Sequence, residues 1–261
     1  MSLLDPAQRS ARGLAIQAEV SGAQPPRPAT LLDESWRDFV YAEVWNRPGL
    51  DRRSRYLVSL ASAAMSSGPA AILAAYVRGA LAGRELTLGE LREAALHLAV
   101  YGGWSRGAEL DQAITRVAGA LGLAPAALAP IRAEPWDPAV RHAEGAQHFT
   151  AVMTFAGPPP VTPYFDAGIL NFVFAEMWCR PGLDQRSRRW ITLVGVAESA
   201  AVVPIRSHIY AAMASGDCSA GEMQEFVLQY AVHAGWPKGS VIQGVVLEMA
   251  KRVAAGLPFE A

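Results

Sequence analysis

The sequence predicts an all-α protein of two tandem helical units, and three observations carry that reading. A long segment repeats in order, apolar residues recur at helical spacing, and no stretch alternates as a half-buried strand does. Phe39 to Leu60 reads FVYAEVWNRPGLDRRSRYLVSL, and Phe172 to Leu193 reads FVFAEMWCRPGLDQRSRRWITL. Glu43/Glu176, Trp45/Trp178, Arg47/Arg180, Asp51/Asp184, Arg53/Arg186 and Arg55/Arg188 all stand 133 residues apart. After Gly83 and Gly216 the spacing becomes 132, and Glu90/Glu222, Glu93/Glu225, Gly103/Gly235 and Trp104/Trp236 follow. On this count Ala75 is the counterpart of His208. A fainter match upstream sets Gly145 132 residues beyond Gly13. The units are expected at 1–130 and 131–261, parted in the Ala- and Pro-rich stretch Ala129 to Pro138.

The elements follow from local chemistry. Asp51 and Asp184 come after R-P-G-L and before a long periodic segment, the place of an N-cap. Thr87-x-x-Glu90 and Ser219-x-x-Glu222 are capping boxes that open the next helix. Within those helices Leu91, Ala94, Ala95 and Leu98 share a face, as do Met223, Phe226, Val227 and Tyr230. Gly83 and Gly216 stand where a helix needs a C-terminal stop.

Composition narrows the function classes. Hydrophobic residues make up 51% and the formal charge is −1, so a sizeable core is available. No like-charge block suggests a nucleic-acid groove or a polybasic membrane anchor. Met1 to Arg12 lacks the apolar core of a secretory signal, and no uninterrupted apolar run is long enough to span a bilayer. Cys179 and Cys218 form neither a disulfide framework nor a C-x-x-C. These features point to a reducing, cytoplasmic setting.

The run W-x-R-P-G-L-D-x-R-S-R, then His208-Ile-x-x-Ala-Met-x-x-Gly216, Ser219-x-x-Glu222-x-x-Glu225 and Ala234-Gly-Trp-Pro237 resembles the carboxymuconolactone decarboxylase family. The likeness covers roughly Phe39 to Leu121 and Phe172 to Ala254. It implies helical units packed in rings, and for a two-unit chain a homotrimer with a small-molecule substrate and no cofactor. The redox branch of that superfamily carries C-x-x-C before its His, where this chain has Ala201 and Pro204. Pro204 also occupies the place where the decarboxylase pattern has a Glu. A Tyr usual beside the A-G-x-P motif is Tyr101 in the first copy and His233 in the second.

The resemblance makes His208 the leading candidate for a general acid–base group, since imidazole with an ordinary pKa of ~6.5 moves protons near neutral pH. With Ala75 opposite it, the first copy is read as chemically silent. Glu198, alone in L-V-G-V-A-E-S-A-A, replaces Met65 of the first copy and is expected to orient His208 in place of the missing family Glu. Arg180 or Arg188 would hold a substrate carboxylate, with Glu176, Trp178 and His233 lining the pocket. The Glu, Trp and Arg kept in both copies also suit a structural role, the Arg clamping the Glu or capping carbonyls. Arg186 is a further carboxylate ligand candidate. His142, Glu144 and His148 are spaced around a helix rather than on one face, so no metal site is read there. The expected activity is a cofactor-free lyase or isomerase acting on a carboxylated lactone or similar oxygenated ring. The alternatives are a non-catalytic binding or scaffold protein, and a redox protein using Cys179 or Cys218.

Overall fold

The computed structural model describes residues 5–66, 68–131, 135 and 137–260. Among these residues the regular structure is entirely helical. Helices α1 (Pro6–Ser21) and α2 (Leu31–Ser35) lead into a π-helix, π1 (Trp36–Trp45), followed by α3 (Arg52–Met65), α4 (Ala70–Ala82), α5 (Leu88–Gly102) and α6 (Trp104–Ala120). The order then recurs as α7 (Pro138–Met153), π2 (Tyr164–Met177), α8 (Gln185–Ser199), α9 (Val202–Ala214), α10 (Ala220–Ala234) and α11 (Trp236–Ala254). The expected boundary stretch includes 132–134 and 136, which lie outside the described residues.

The caps form as their residue types require. Asp51 and Asp184 accept from Ser54 N and Ser187 N, and both capping boxes close reciprocally at α5 and α10. Glu43 and Glu176 are held by Arg9 at 2.6 Å and Arg141 at 3.1 Å, pinning α1 to π1 and α7 to π2. The expected clamp of Glu43 by Arg47 is therefore corrected: Arg47 faces the other half of the chain.

The two halves interlock. α3 packs on α8 and on α10, and α5, besides packing on α6, meets α8, so α5 and α10 each bridge the two halves. One apolar core runs through both, joining Leu57, Leu60 and Leu91 with Trp190, Ile191 and Phe226. One buried and one part-buried ion pair join the halves. Arg180 grips Glu93 through Nε at 3.0 Å and Nη2 at 2.7 Å, and Arg47 grips Glu225 through Nε at 2.8 Å and Nη2 at 2.7 Å.

The structure corrects the register of the repeat. α4 starts at Ala70 and α9 at Val202, 132 residues apart, so the spacing changes before these helices rather than after Gly83. The turn that follows agrees: the left-handed residue matching Gly216 (φ 79°) is Arg84 (φ 57°). Buried Leu73, Val77 and Ala80 then match Ile205, Ile209 and Ala212. The counterpart of His208 is Tyr76, not Ala75.

Candidate functional site

His208 projects from α9 and is 8% exposed. Its ring meets Tyr101, from α5 of the other half, edge-on at 5.3 Å. α8 comes close enough for this only because residue 195 is glycine, where a Cβ would lie 2.6 Å from Tyr101 Cβ. Trp178, at the end of π2, donates from Nε1 to the Tyr101 hydroxyl at 2.8 Å. His97 stands edge-on to Trp178 at 4.9 Å and shares a 2.9 Å hydrogen bond with Thr192 Oγ1. Arg189 lies over the Trp178 ring at 5.2 Å, pairs with Asp217 at 2.9 Å and donates to Val152 O.

Three polar atoms of this cluster are buried without a partner: His208 Nδ1, His97 Nδ1 and Arg189 Nη1. Burial dominates the electrostatics. It pulls the His208 pKa down to about 3, with the Arg189 charge adding to the effect. His97 is pushed the same way by burial, then by Arg188, His208 and Arg189. Burial raises the Tyr101 hydroxyl to about 12, against the Trp178 hydrogen bond. The expected imidazole pKa of ~6.5 is thus corrected. At neutral pH His208 rests as a neutral acceptor beside one guanidinium, an arrangement suited to taking in an acid.

A second cluster repeats this one across the pseudo-symmetry. Tyr76 of α4 takes the place of His208, and His233 of α10 takes the place of Tyr101. The two rings meet edge-on at 5.6 Å, and Tyr76 Oη lies 3.2 Å from His233 Nε2. Trp45 replaces Trp178, Tyr56 replaces Arg189, and Gln229 to Ser59, at 2.9 Å, replaces His97 to Thr192. Tyrosine and histidine have exchanged elements between the two pockets.

The structure brings Trp178 to the His208 cluster and leaves the other expected partners elsewhere. Glu198 does not orient His208: Tyr230 Oη donates to its Oε1 at 2.7 Å and Lys238 Nζ holds its Oε2 at 2.6 Å. Arg180 is committed to Glu93 and to Ala129 O and Pro130 O, and Arg188 donates to Arg180 O at 2.7 Å. Arg186 is likewise engaged, with Glu222 and Asp51. Glu176 lies against Arg141, and His233 belongs to the Tyr76 pocket. Cys179 sits 2.8 Å from His148 Nδ1 and burial raises its thiol pKa, while burial pushes Cys218 up to about 12; neither is an activated thiolate. His142 lies 3.8 Å from Asp166.

Sequence reasoning missed Arg189, Tyr101 as a partner of His208, and His97. Arg189 carried a signal. R-S-R-R ends in Arg189 where R-S-R-Y ends in Tyr56, an asymmetry of the same kind that singled out Glu198.

Fold and site define an all-helical protein that buries neutral histidine–tyrosine pairs. Residues 31–129 match the model of the carboxymuconolactone decarboxylase family. No curated protein matches the chain. Among the described residues no helix is long and apolar enough to cross a membrane.

Proposed function

We propose that this protein is a cofactor-free carboxy-lyase acting on a small, carboxylated, conjugated ring such as a lactone acid, with the chemistry at His208. The supporting observation is the unpartnered His208 Nδ1 in the same buried cluster as the unpartnered Arg189 Nη1. A carboxylic acid entering the cluster gives its proton to the neutral imidazole, and the resulting carboxylate accepts from Arg189. This counter-charge raises the imidazole pKa in the complex. Loss of CO2 leaves the electron pair on the ring, where the conjugated carbonyl delocalises it as a dienolate. The Tyr101 hydroxyl, which accepts from Trp178, is the hydrogen-bond donor to the dienolate oxygen in this reading. The imidazolium then returns the borrowed proton to carbon, so acid becomes CO2 and protonated ring, with His208 restored. Arg189 takes the role first given to Arg180 or Arg188.

The same reading includes a homotrimer in a reducing cytoplasm. Leu31, Val161 and Val202 are exposed apolar residues of the kind that an assembly covers.

A second reading, a binding or scaffold protein without turnover, draws on the closure of the pocket. His208 is nearly buried, and none of four surface clefts includes it in its lining. One experiment separates the two: CO2 release from a panel of lactone acids by the native protein and by His208→Gln. The lyase reading expects turnover that falls by about 10²-fold or more in a variant of unchanged circular dichroism. Saturable binding without CO2 release supports the second reading, and equal turnover in both proteins ends the assignment of His208.

A further inference from the structure

The closure over His208 has a structural counterpart in how the covering helices are attached, whether His208 catalyses or only binds. We propose that α7 and π2 form a lid over His208, hinged at Arg180, which swings off the body as one piece while the rest of the fold stays in place.

Four observations carry this. First, these two elements lie on His208. Ala211, one turn along α9 from His208, is buried in a small apolar cluster with Phe149, Val152 and Met153 of α7 and Leu170 and Phe174 of π2. Trp178, at the end of π2, completes that cluster and donates to Tyr101, the ring that meets His208 edge-on. Second, the cluster is separate from the main core. Val20, Tyr41 and Trp45 of α1 and π1 belong to the core that runs through the molecule, whereas their counterparts Val152, Phe174 and Trp178 do not. Opening a satellite cluster leaves the main core buried, so it costs less than unfolding.

Third, the two halves seat these helices differently. At Gly79 α4 meets α1 backbone to backbone, where a Cβ would overlap Val20 O. The counterpart of Gly79 is Ala211, whose methyl stands between α9 and α7. The hydrogen bonds that tie α7 and the end of π2 to α8 and α5 are Arg189 to Val152 O and Trp178 to Tyr101. A stack of Phe172 on the exposed ring of Trp104 adds an edge contact. Fourth, the pair is stiff inside and pinned at one point. Arg141 of α7 donates to Asn171 O of π2 at 3.2 Å and pairs with Glu176 at 3.1 Å, and Gly145 brings the two helices into backbone contact at Leu170. The chain leaves the body at Ala129 and Pro130 and returns at Arg180. The Arg180 guanidinium joins these points, donating to Ala129 O at 2.6 Å and Pro130 O at 3.0 Å while gripping Glu93 of α5. One buried side chain thus fastens both ends of the lid to the body, as a hinge requires.

The test is amide hydrogen exchange on the full chain, joined to modification of His208 by diethyl pyrocarbonate, read by mass at neutral pH. Amides of α7 and π2 are expected to exchange about tenfold faster than those of α1 and π1, or more. Their exchange should also depend less on urea, because opening the lid exposes less surface than unfolding does. Diethyl pyrocarbonate attacks a neutral imidazole, so the modification of His208 is expected to follow the exchange of the lid. Trp178→Phe keeps an aromatic ring but removes the donor to Tyr101. It is expected to speed both lid exchange and His208 modification by about tenfold, with α1 and π1 unchanged. Should that variant fail to fold, the urea dependences in the native protein decide the matter alone. Exchange of α7 and π2 that matches α1 and π1 in rate and urea dependence overturns the proposal. So does modification of His208 no faster than global unfolding, or a Trp178→Phe effect equal in α1 and α7. Release of CO2 is measured separately, so failure here leaves the lyase reading standing.

Discussion

His208 and His233 are both held neutral by burial, with pKa values of about 3 and about 4. His97 is lowered by the same cause. An unfolded histidine titrates near 6.5, so above that pH the imidazoles are neutral in both states and stability is unaffected. As pH falls through 6.5 the unfolded chain takes up protons that the folded pocket refuses, and stability drops until the folded pKa is reached. His208 and His233 then each cost roughly 2 kcal/mol by about pH 5, and His97 acts in the same direction. The carboxylates act in the same direction but lower down. Glu225, whose pKa is depressed by Arg47 hydrogen bonding, loses its contribution only as pH falls below its ordinary value of 4.5. The interval from pH 6.5 to 5 therefore isolates the histidines. Urea unfolding of the native protein is expected to show a clear loss of stability across it, and His208→Gln a loss smaller by roughly 2 kcal/mol. Identical slopes would mean that His208 is hydrated in the fold.

At the scale of elements, the crossing of α7 and π2 depends on Gly145, and that of α1 and π1 on Gly13. A Cβ at either would lie 2.3 Å from a backbone oxygen, Leu170 O or Arg37 O. These helices touch backbone to backbone, so the obstacle cannot rotate away as a side chain would. Gly145→Ala is expected to cost about 1–3 kcal/mol despite the higher helix propensity of alanine, read from a thermal melt. A stabilised variant would show that the crossing relaxes freely. Much of this level was legible in the sequence. Caps are written in short local patterns, so Asp51, Asp184, Thr87 and Ser219 declare their helices, and the faint match of Gly13 with Gly145 extended the repeat upstream. The register of α4 against α9 was not legible. AAILAAYVRGALA and VVPIRSHIYAAMA are mostly apolar, and their charged residues, Arg78 and Arg206, fall at different positions, so none anchors the match. Gly83 supplied a false anchor, because the left-handed turn residue is Arg84, a conformation that side chains seldom adopt. That one-residue shift hid Tyr76 as the counterpart of His208. Pocket membership was hidden for another reason: Tyr101 and His97 reach His208 from the other half, and periodicity within one helix carries no information about which distant helix it meets.

At the scale of the whole molecule, the sequence repeat suggests two bodies while the packing makes one. α5 packs both on α6 of its own half and on α8 of the other, and α10 both on α11 and on α3. Glu93 and Glu225 are the fasteners. Glu93 receives Arg180, with Arg188 at 3.6 Å, and Glu225 receives Arg47 and Arg55. Arg55 and Arg188 are each 1% exposed, so neutralising the shared carboxylate leaves a buried cation uncompensated. Breaking a buried pair in this way costs about 3–5 kcal/mol. Glu93→Gln and Glu225→Gln are each expected to lose that much. Because the larger apolar core runs through both halves, separating them would expose it. Unfolding should therefore remain a single step in the native protein and in both variants, with circular dichroism and tryptophan fluorescence coinciding and the calorimetric enthalpy matching the van't Hoff value. Tryptophans in both halves, Trp45 and Trp104 against Trp178 and Trp190, make the optical probe sensitive to any separation. A melt that resolves into two transitions in either variant would mean that the halves are held together by these ion pairs alone, and that the pockets between them open before the helices unfold.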